Sequence, residues 1–238
     1  MKQALSKSQS VVFGIVLLTF YSCASYKTRY SKDTNGWQEV KPSSGLVLTH
    51  TMYLIGDAGN DSPEIPDPVL KYLKVKLEQE TENSSILFLG DNIYPSGMPP
   101  KEDSLKRISA EYRMDSQLEI LSKFKGRPIF IPGNHDWRTW GKEGLKRQER
   151  YVQKHIRKQR DQPEKEDEQD YFLPLDGCSG PEVVELNDNV VVIVVDSQWW
   201  LADWNKQPKM NDGCEIKNRE HFLFVFENVV RKYRNKQL

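Results

Sequence analysis

Apolar residues fall in short runs along this chain, and four of the runs stop abruptly at a polar cluster. Met52–Ile55 gives way to Gly56-Asp57-Ala58-Gly59, Ser85–Leu89 to Gly90-Asp91-Asn92-Ile93-Tyr94, Pro128–Pro132 to Gly133-Asn134-His135-Asp136, and Val190–Val195 to Asp196. Apolar runs this short, bounded by turn residues, predict buried strands. Between them the period changes to that of helices. Asp67-Pro68 offers a cap and a proline for a first turn, and Val69, Leu70, Leu73 and Leu77 follow at helical spacing. Ser104–Phe124 continues the theme, with Leu105, Ile108, Tyr112, Leu118 and Leu121 as its apolar face. Gly144–Lys158 is strongly charged, and its thin stripe of Leu145, Tyr151, Val152 and His155 predicts a surface helix. Asp161–Asp170 reads as a solvated loop. His221 begins an amphipathic helix whose apolar face is Phe222, Leu223, Val225, Phe226, Val229, Val230 and Tyr233. Strands alternating with helices predict an α/β fold.

In open α/β sheets, ligands bind beyond the carboxyl ends of the strands. The signatures therefore bring Asp57, Asp91, Tyr94, Asn134, His135 and Asp136 to one crevice. A glycine before three of the polar clusters lets the chain turn sharply and lets backbone approach an ion or substrate closely. A single Gly-Asp would be an ordinary turn. Here Asp57, Asp91 and Asn134 recur at gaps of 34 and 43 residues, which are βαβ lengths. Hard oxygen donors with one nitrogen donor suit a pair of metal ions. No Gly-x-Ser-x-Gly segment offers a serine nucleophile.

From Met52 onward these segments resemble the calcineurin-like metallophosphoesterases. That family usually reads Asp-x-His, then Gly-Asp, then Gly-Asn-His-Asp/Glu. The first His is absent from Asp57-Ala58-Gly59, and Tyr94 follows Asp91 by three residues instead. That exchange is similar to the purple acid phosphatase-like branch, in which a tyrosinate binds a ferric ion. The resemblance implies an α/β, layered metallophosphoesterase-type β-sheet sandwich flanked by helices, and metal-dependent hydrolysis of phosphate esters, a phosphoric ester hydrolase activity. Asp57, Asp91 and Tyr94 would hold one ion, and Asp91 with Asn134 the second. The metals implied are Fe3+ with Fe2+, Zn2+ or Mn2+. His135 would bind a phosphoryl oxygen or protonate the leaving alkoxide, and Asp136 would fix the tautomer of His135. Two metals ~3.5–4 Å apart can activate a shared water for in-line attack.

The family normally supplies further His ligands on a Gly-His segment and a later Gly-His-x-His segment. Only His50, His135, His155 and His221 occur here, and the chain reaches Leu238 where a strand ending in Gly-His would begin. The resemblance thus implies a sandwich incomplete at the C-terminus, a fragment or truncated product. That leaves an alternative to the enzyme: a non-catalytic or weakly active surface lipoprotein that binds a phosphate-bearing ligand or partner.

Several residues keep two readings. Asn92 either orients a water or the phosphate, or closes its turn. Tyr94 is a ligand or a packed aromatic. Asp196 is read as a cap for the turn after its strand. Trp199 and Trp200 line a cleft or cover the sheet, and Trp137 and Trp140 border the site mouth.

Composition narrows the setting. At 238 residues one core is feasible. The 34 basic and 34 acidic residues cancel, so nothing points to general binding of nucleic acid. Lys2 and Lys7 precede the apolar run Val11–Phe20, too short to span a membrane and suited to a signal peptide. Ser22-Cys23-Ala24 then resembles a bacterial lipoprotein signal, with lipidation at Cys23. An ordinary signal peptide or a short anchor helix is the other reading. The expected organisation is a signal peptide over residues 1–23, a polar tether over 24–45, and the N-terminal part of a metallophosphoesterase domain over 46–238. Export, with a lipid anchor to the bacterial cell envelope, places Cys178 and Cys214 in an oxidising compartment, where an even pair forms a disulfide. No Cys-x-x-Cys spacing exists, which excludes a zinc ribbon.

Overall fold

The computed structural model describes residues 45, 47–161, 169–203 and 209–236. The signal peptide, the polar tether, Cys23 and most of the Asp161–Asp170 segment lie outside the described residues. The chain divides into Met1–Val47 and Leu48–Leu238, and everything below concerns the second unit.

Three parallel strands form the main sheet: β1 (Thr51–Ile55), β2 (Ser84–Phe88) and β3 (Arg127–Phe130), in that spatial order. Ile55 pairs with Phe88 and Phe88 with Phe130, so the carboxyl ends are level. Helix α1 (Pro68–Leu77) joins β1 to β2, and α2 (Ser104–Glu119) joins β2 to β3. Asp67 caps α1 by accepting from the Val69 amide at 2.7 Å. After β3 come the short α3 (Asn134–Trp137) and the long α4 (Gly141–Gln159). The chain then passes beside β3, where Phe130 N–H donates to Tyr171 O and Leu173 N–H to Phe130 O.

β4 (Glu182–Glu185) and β5 (Val191–Val194) form a separate antiparallel hairpin. The sequence pattern put Val190–Val195 among the parallel strands, and the structure corrects this. The missed partner, β4, is marked only by two valines before Asn187-Asp188-Asn189. Asn187 closes the turn by accepting from the amides of Asn189 and Val190.

Alternation along the strands explains the layers. Ile86, Phe88 and Phe130 face a core shared with Leu77, Met114, Leu118, Val152 and Ile156 of the helices. Leu87 and Ile129 face the other way, onto Val184 and Val194 of the hairpin. The result is helices, parallel sheet and hairpin, a mixed α/β arrangement. The stacked rings of Phe88 and Phe130, 4.0 Å apart, close the core at the carboxyl ends of their strands.

Two helix faces differ from the sequence expectation. On α2, Leu105 and Ile108 are exposed, while Arg107, Ala110, Met114, Gln117 and Leu118 are buried. Arg107 and Gln117 are buried because each finds backbone carbonyls to bond. Helix α4 is also more than a surface helix, since Leu145, Gln148, Val152, Gln153 and Ile156 are buried. Helices α5 (Ser197–Leu201) and α6 (Arg219–Tyr233) complete the chain. Trp199 is fully buried and Trp200 partly, and both pack on Phe222 of α6. Both pack into the core against α6. Cys178 and Cys214 form a disulfide, with Cα atoms 5.6 Å apart, as the sequence led us to expect. No helix among the described residues is long and apolar enough to cross a membrane.

Glu149 of α4 accepts from the Asp176 amide at 2.7 Å in a partly buried acidic corner. Burial above all, then Asp176, Asp170 and Glu182, push its carboxyl up to about 7 from 4.5. The folded state therefore holds this proton more tightly than the unfolded state. Stability is full below pH 4.5, falls as pH rises from 4.5 to 7, and is flat above. Glu149→Gln keeps an acceptor and cannot ionise. It is expected to stabilise the protein at pH 8 by about 1–2 kcal/mol, the full shift being reduced for solvent screening, and to change little at pH 4. Urea unfolding at the two pH values checks this; an equal effect at both would contradict it.

Candidate functional site

Two loops at the carboxyl ends of β1 and β2 are laced together by backbone bonds. Asp57 N–H donates to Gly90 O, Gly59 N–H to Asp91 O, and Tyr94 N–H to Gly59 O, at 2.9–3.1 Å. Asp57 and Asp91 both have left-handed backbone, with φ of 59° and 54°. A non-glycine residue seldom sits there, and two at adjacent strand ends mark a site under constraint. Glycine is required at two close approaches. A Cβ on Gly59 would lie 2.3 Å from the Asn92 carbonyl carbon, and one on Gly133 would lie 2.3 Å from both the amide and Oδ1 of Asp91.

The close packing at Gly133 positions Asp91. Its Oδ1 accepts the His135 amide at 2.9 Å, and its Oδ2 lies 2.8 Å from the Tyr94 hydroxyl. The same hydroxyl lies 2.5 Å from Asp57 Oδ1. Asp91 is buried, Tyr94 half-buried and Asp57 exposed, so the three oxygens meet at the edge of solvent. The hydrogen bond to Asp57 first, then burial, then Asp91, push the Tyr94 phenol well above its ordinary range.

His135 stands beside this group, its ring 4.3 Å from that of Tyr94. Its Nδ1 lies 2.8 Å from Pro95 O. A carbonyl only accepts, so Nδ1 carries the proton and Nε2 is left as the working atom. Asn134 is exposed at the start of α3, between the two residues that pack on Asp91, and its side chain bonds no other described residue.

The structure corrects two assignments. Asp136 does not set the tautomer of His135; Pro95 O does. Consecutive residues on a helix do not face each other. Asp136 is fully buried and reaches back to the Gly133 amide at 2.8 Å, the N3-to-N-cap half of a capping box, while also accepting from the amides of Asn92 and Ile93 at 3.1 Å. Burial pushes its carboxyl up to about 6 against the pull of the Gly133 and Asn92 amides. Asn92 is likewise buried, at 1% exposure, and donates to Ile131 O and Asp136. Its side chain fastens the second loop to the third, away from solvent.

Asp196 performs the capping role expected of it. Its Oδ1 accepts the Trp199 amide at 3.0 Å, and its Oδ2 accepts Trp137 Nε1 at 2.7 Å. Trp137 is therefore buried support under α3 rather than a residue of the site mouth. Sequence reasoning missed Gln117, which is fully buried and donates to Asn92 O from α2. It also missed Pro95, whose role as acceptor for His135 leaves no mark in sequence.

The donor set fits a hard cation. A phenol has one proton, yet Tyr94 Oη is within hydrogen-bonding distance of two carboxylates. A cation replacing that proton would satisfy all three oxygens, which are the donors hard ions prefer. Among the described residues, no group of three or more His, Cys, Asp and Glu side chains converges in a way that could hold a metal. His50 does not contribute: it bonds Ser85 Oγ at the opposite end of the sheet. No protein-family model, curated protein or solved structure matches this chain.

Proposed function

We propose that this chain is a metal-dependent phosphoesterase of the calcineurin-like kind, with a purple acid phosphatase-like centre on a layered, metallophosphoesterase-type sandwich. One observation carries the reading: a tyrosine hydroxyl bracketed by two aspartates at the carboxyl ends of adjacent parallel strands. Asp57, Asp91 and Tyr94 would hold a ferric ion, and Asp91 with Asn134 a second ion, Fe2+, Zn2+ or Mn2+. Such a pair supplies an activated water and a clamp on the phosphoryl oxygens during in-line displacement.

The chain's own residues do the rest. The His135 amide holds Asp91 Oδ1 and so fixes the angle of that carboxylate. Pro95 O holds His135 Nδ1. When doubly protonated, the ring delivers the Nε2 proton to the departing alkoxide oxygen and keeps its Nδ1 bond. Asp136 and Asn92 keep the second and third loops in register and act through that placement. Export fits the Cys178–Cys214 disulfide, which persists in an oxidising compartment. We place the protein in the cell envelope on a lipid at Cys23.

Turnover of a chromogenic phosphate monoester by protein loaded with iron and zinc tests the reading. Hydrolysis is expected to need metal and to fall roughly 10²–10⁴-fold in His135→Ala, the usual contribution of a positioned acid. Metal-loaded protein no faster than metal in buffer would sink it. That outcome would favour a phosphate-ligand-binding lipoprotein, a second reading supported by the lack of a converging imidazole-rich cluster among the described residues.

A further inference from the structure

Helices α2 and α4 pack against each other, and a cavity of about 490 Å³ opens between them. Five cations line it: Lys101, Arg107, Arg147, Arg150 and Lys154. Only two carboxylates, Glu102 and Glu111, oppose them. The chain as a whole carries no net charge, so this excess is local. One of the two acids is already taken, because Arg107 Nε donates to Glu111 at 2.7 Å. Lys101, Arg150 and Lys154 make no ion pair with any described residue.

The two arginines at the centre are held in place by backbone. Arg107 is buried and donates through Nη1 to Pro99 O at 2.8 Å, and its guanidinium lies 5.7 Å from the Tyr151 ring centre. Arg147 donates through Nε to Met98 O at 3.0 Å and sits 5.7 Å from the Trp140 ring. Its two Nη groups donate no hydrogen bond to any described residue. Burial, and then the charges of Arg107 and Arg150, disfavour the charged form of Arg147, against the pull of Glu143 and Glu102. Like charges held together by fixed hydrogen bonds are unfavourable in the empty cavity and become favourable when an anion enters.

We propose that this cavity binds a small molecule bearing two or more phosphate groups. Guanidinium forks match phosphate oxygens two at a time, and the lysines add unpaired point charges at the rim. A net excess of three cations and a volume larger than one phosphate fills both call for more than a single phosphate. The site is separate from the Asp57–Asp91–Tyr94 group and does not depend on metal there. The two are nevertheless connected. Met98 and Pro99, which hold the arginines, lie on the segment that starts at Tyr94 and Pro95, and Pro95 to Pro99 spans at most about 14 Å of chain.

Calorimetric titration of the metal-free full chain with inorganic pyrophosphate tests this, in chelator and at low salt. Pyrophosphate is expected to bind with a Kd below about 1 mM and to weaken as salt rises. Arg150 and Lys154 are exposed, so Arg150→Gln with Lys154→Gln should leave thermal unfolding unchanged and weaken binding at least about tenfold. Asp91→Asn should bind pyrophosphate as the parent does. Orthophosphate should bind at least about tenfold more weakly than pyrophosphate. The proposal is overturned if pyrophosphate does not bind, if the double variant binds it as tightly as the parent, if Asp91→Asn abolishes binding, or if orthophosphate binds equally well.

Discussion

Asp91→Asn is expected to abolish metal retention and to slow phosphomonoester hydrolysis by roughly 10³-fold or more, the scale on which a single preorganised electrostatic group counts. The substitution is nearly isosteric. Asn retains an oxygen for the His135 amide, which Asp91 Oδ1 now accepts at 2.9 Å. The other atom changes from an acceptor to a donor facing the Tyr94 hydroxyl, now 2.8 Å away. In the metal-free protein this removes one of two carboxylates competing for a single phenolic proton. Thermal stability without metal should therefore hold steady or rise. The gain in stability that metal gives the parent should vanish in the variant. Loss of metal binding with unchanged or improved apo-stability separates a ligand from a structural aspartate. If Asp91→Asn unfolds the protein, or keeps its metal and its activity, the ligand role is wrong.

Replacing Cys178 and Cys214 by serine is expected to lower stability by about 3–4 kcal/mol, the chain-entropy value for the 36-residue separation that the bridge closes. The loop so closed contains β4, β5, α5 and Asp196. Asp196 caps α5 and accepts Trp137 Nε1, so loosening the loop removes support from beneath α3 and the His135 segment. Urea unfolding of the double variant against the oxidised parent measures the effect. A loss below about 1 kcal/mol would show that packing of Trp199 and Trp200 on Phe222 holds this region without the bridge.

The carboxyl ends of the parallel strands were legible because buried strands stay apolar until they leave the sheet. The abrupt change from Ile55 to Asp57, Phe88 to Asp91 and Phe130 to Asn134 marks where the chain leaves the sheet, although Met52 and Leu54 of β1 are exposed and Asp91 is buried. β4 was not legible. One half-buried and one buried valine between glutamates give too short an alternation to distinguish from loop. The buried face of α2 was misread because Leu105 and Ile108 are exposed, whereas Arg107 and Gln117 are buried by bonds to backbone in distant loops. Hydropathy carries no information about such bonds. The same limit applies at the site. Adjacency of His135 and Asp136 suggested a pair, but helical geometry turns Asp136 inward to the Gly133, Asn92 and Ile93 amides. The acceptor that orients His135 is a main-chain carbonyl, and every residue has one.

Tyr94 is the residue on which the account turns, and its visible absorption on iron loading is the most direct measurement. A phenolate bound to ferric iron gives a charge-transfer band that colours the protein purple or pink. The parent, loaded with iron and oxidised, is expected to show this band, and Tyr94→Phe, equally folded and loaded, to lack it. Fully iron-loaded parent protein that remains colourless would contradict a metal centre built on Asp57, Asp91 and Tyr94.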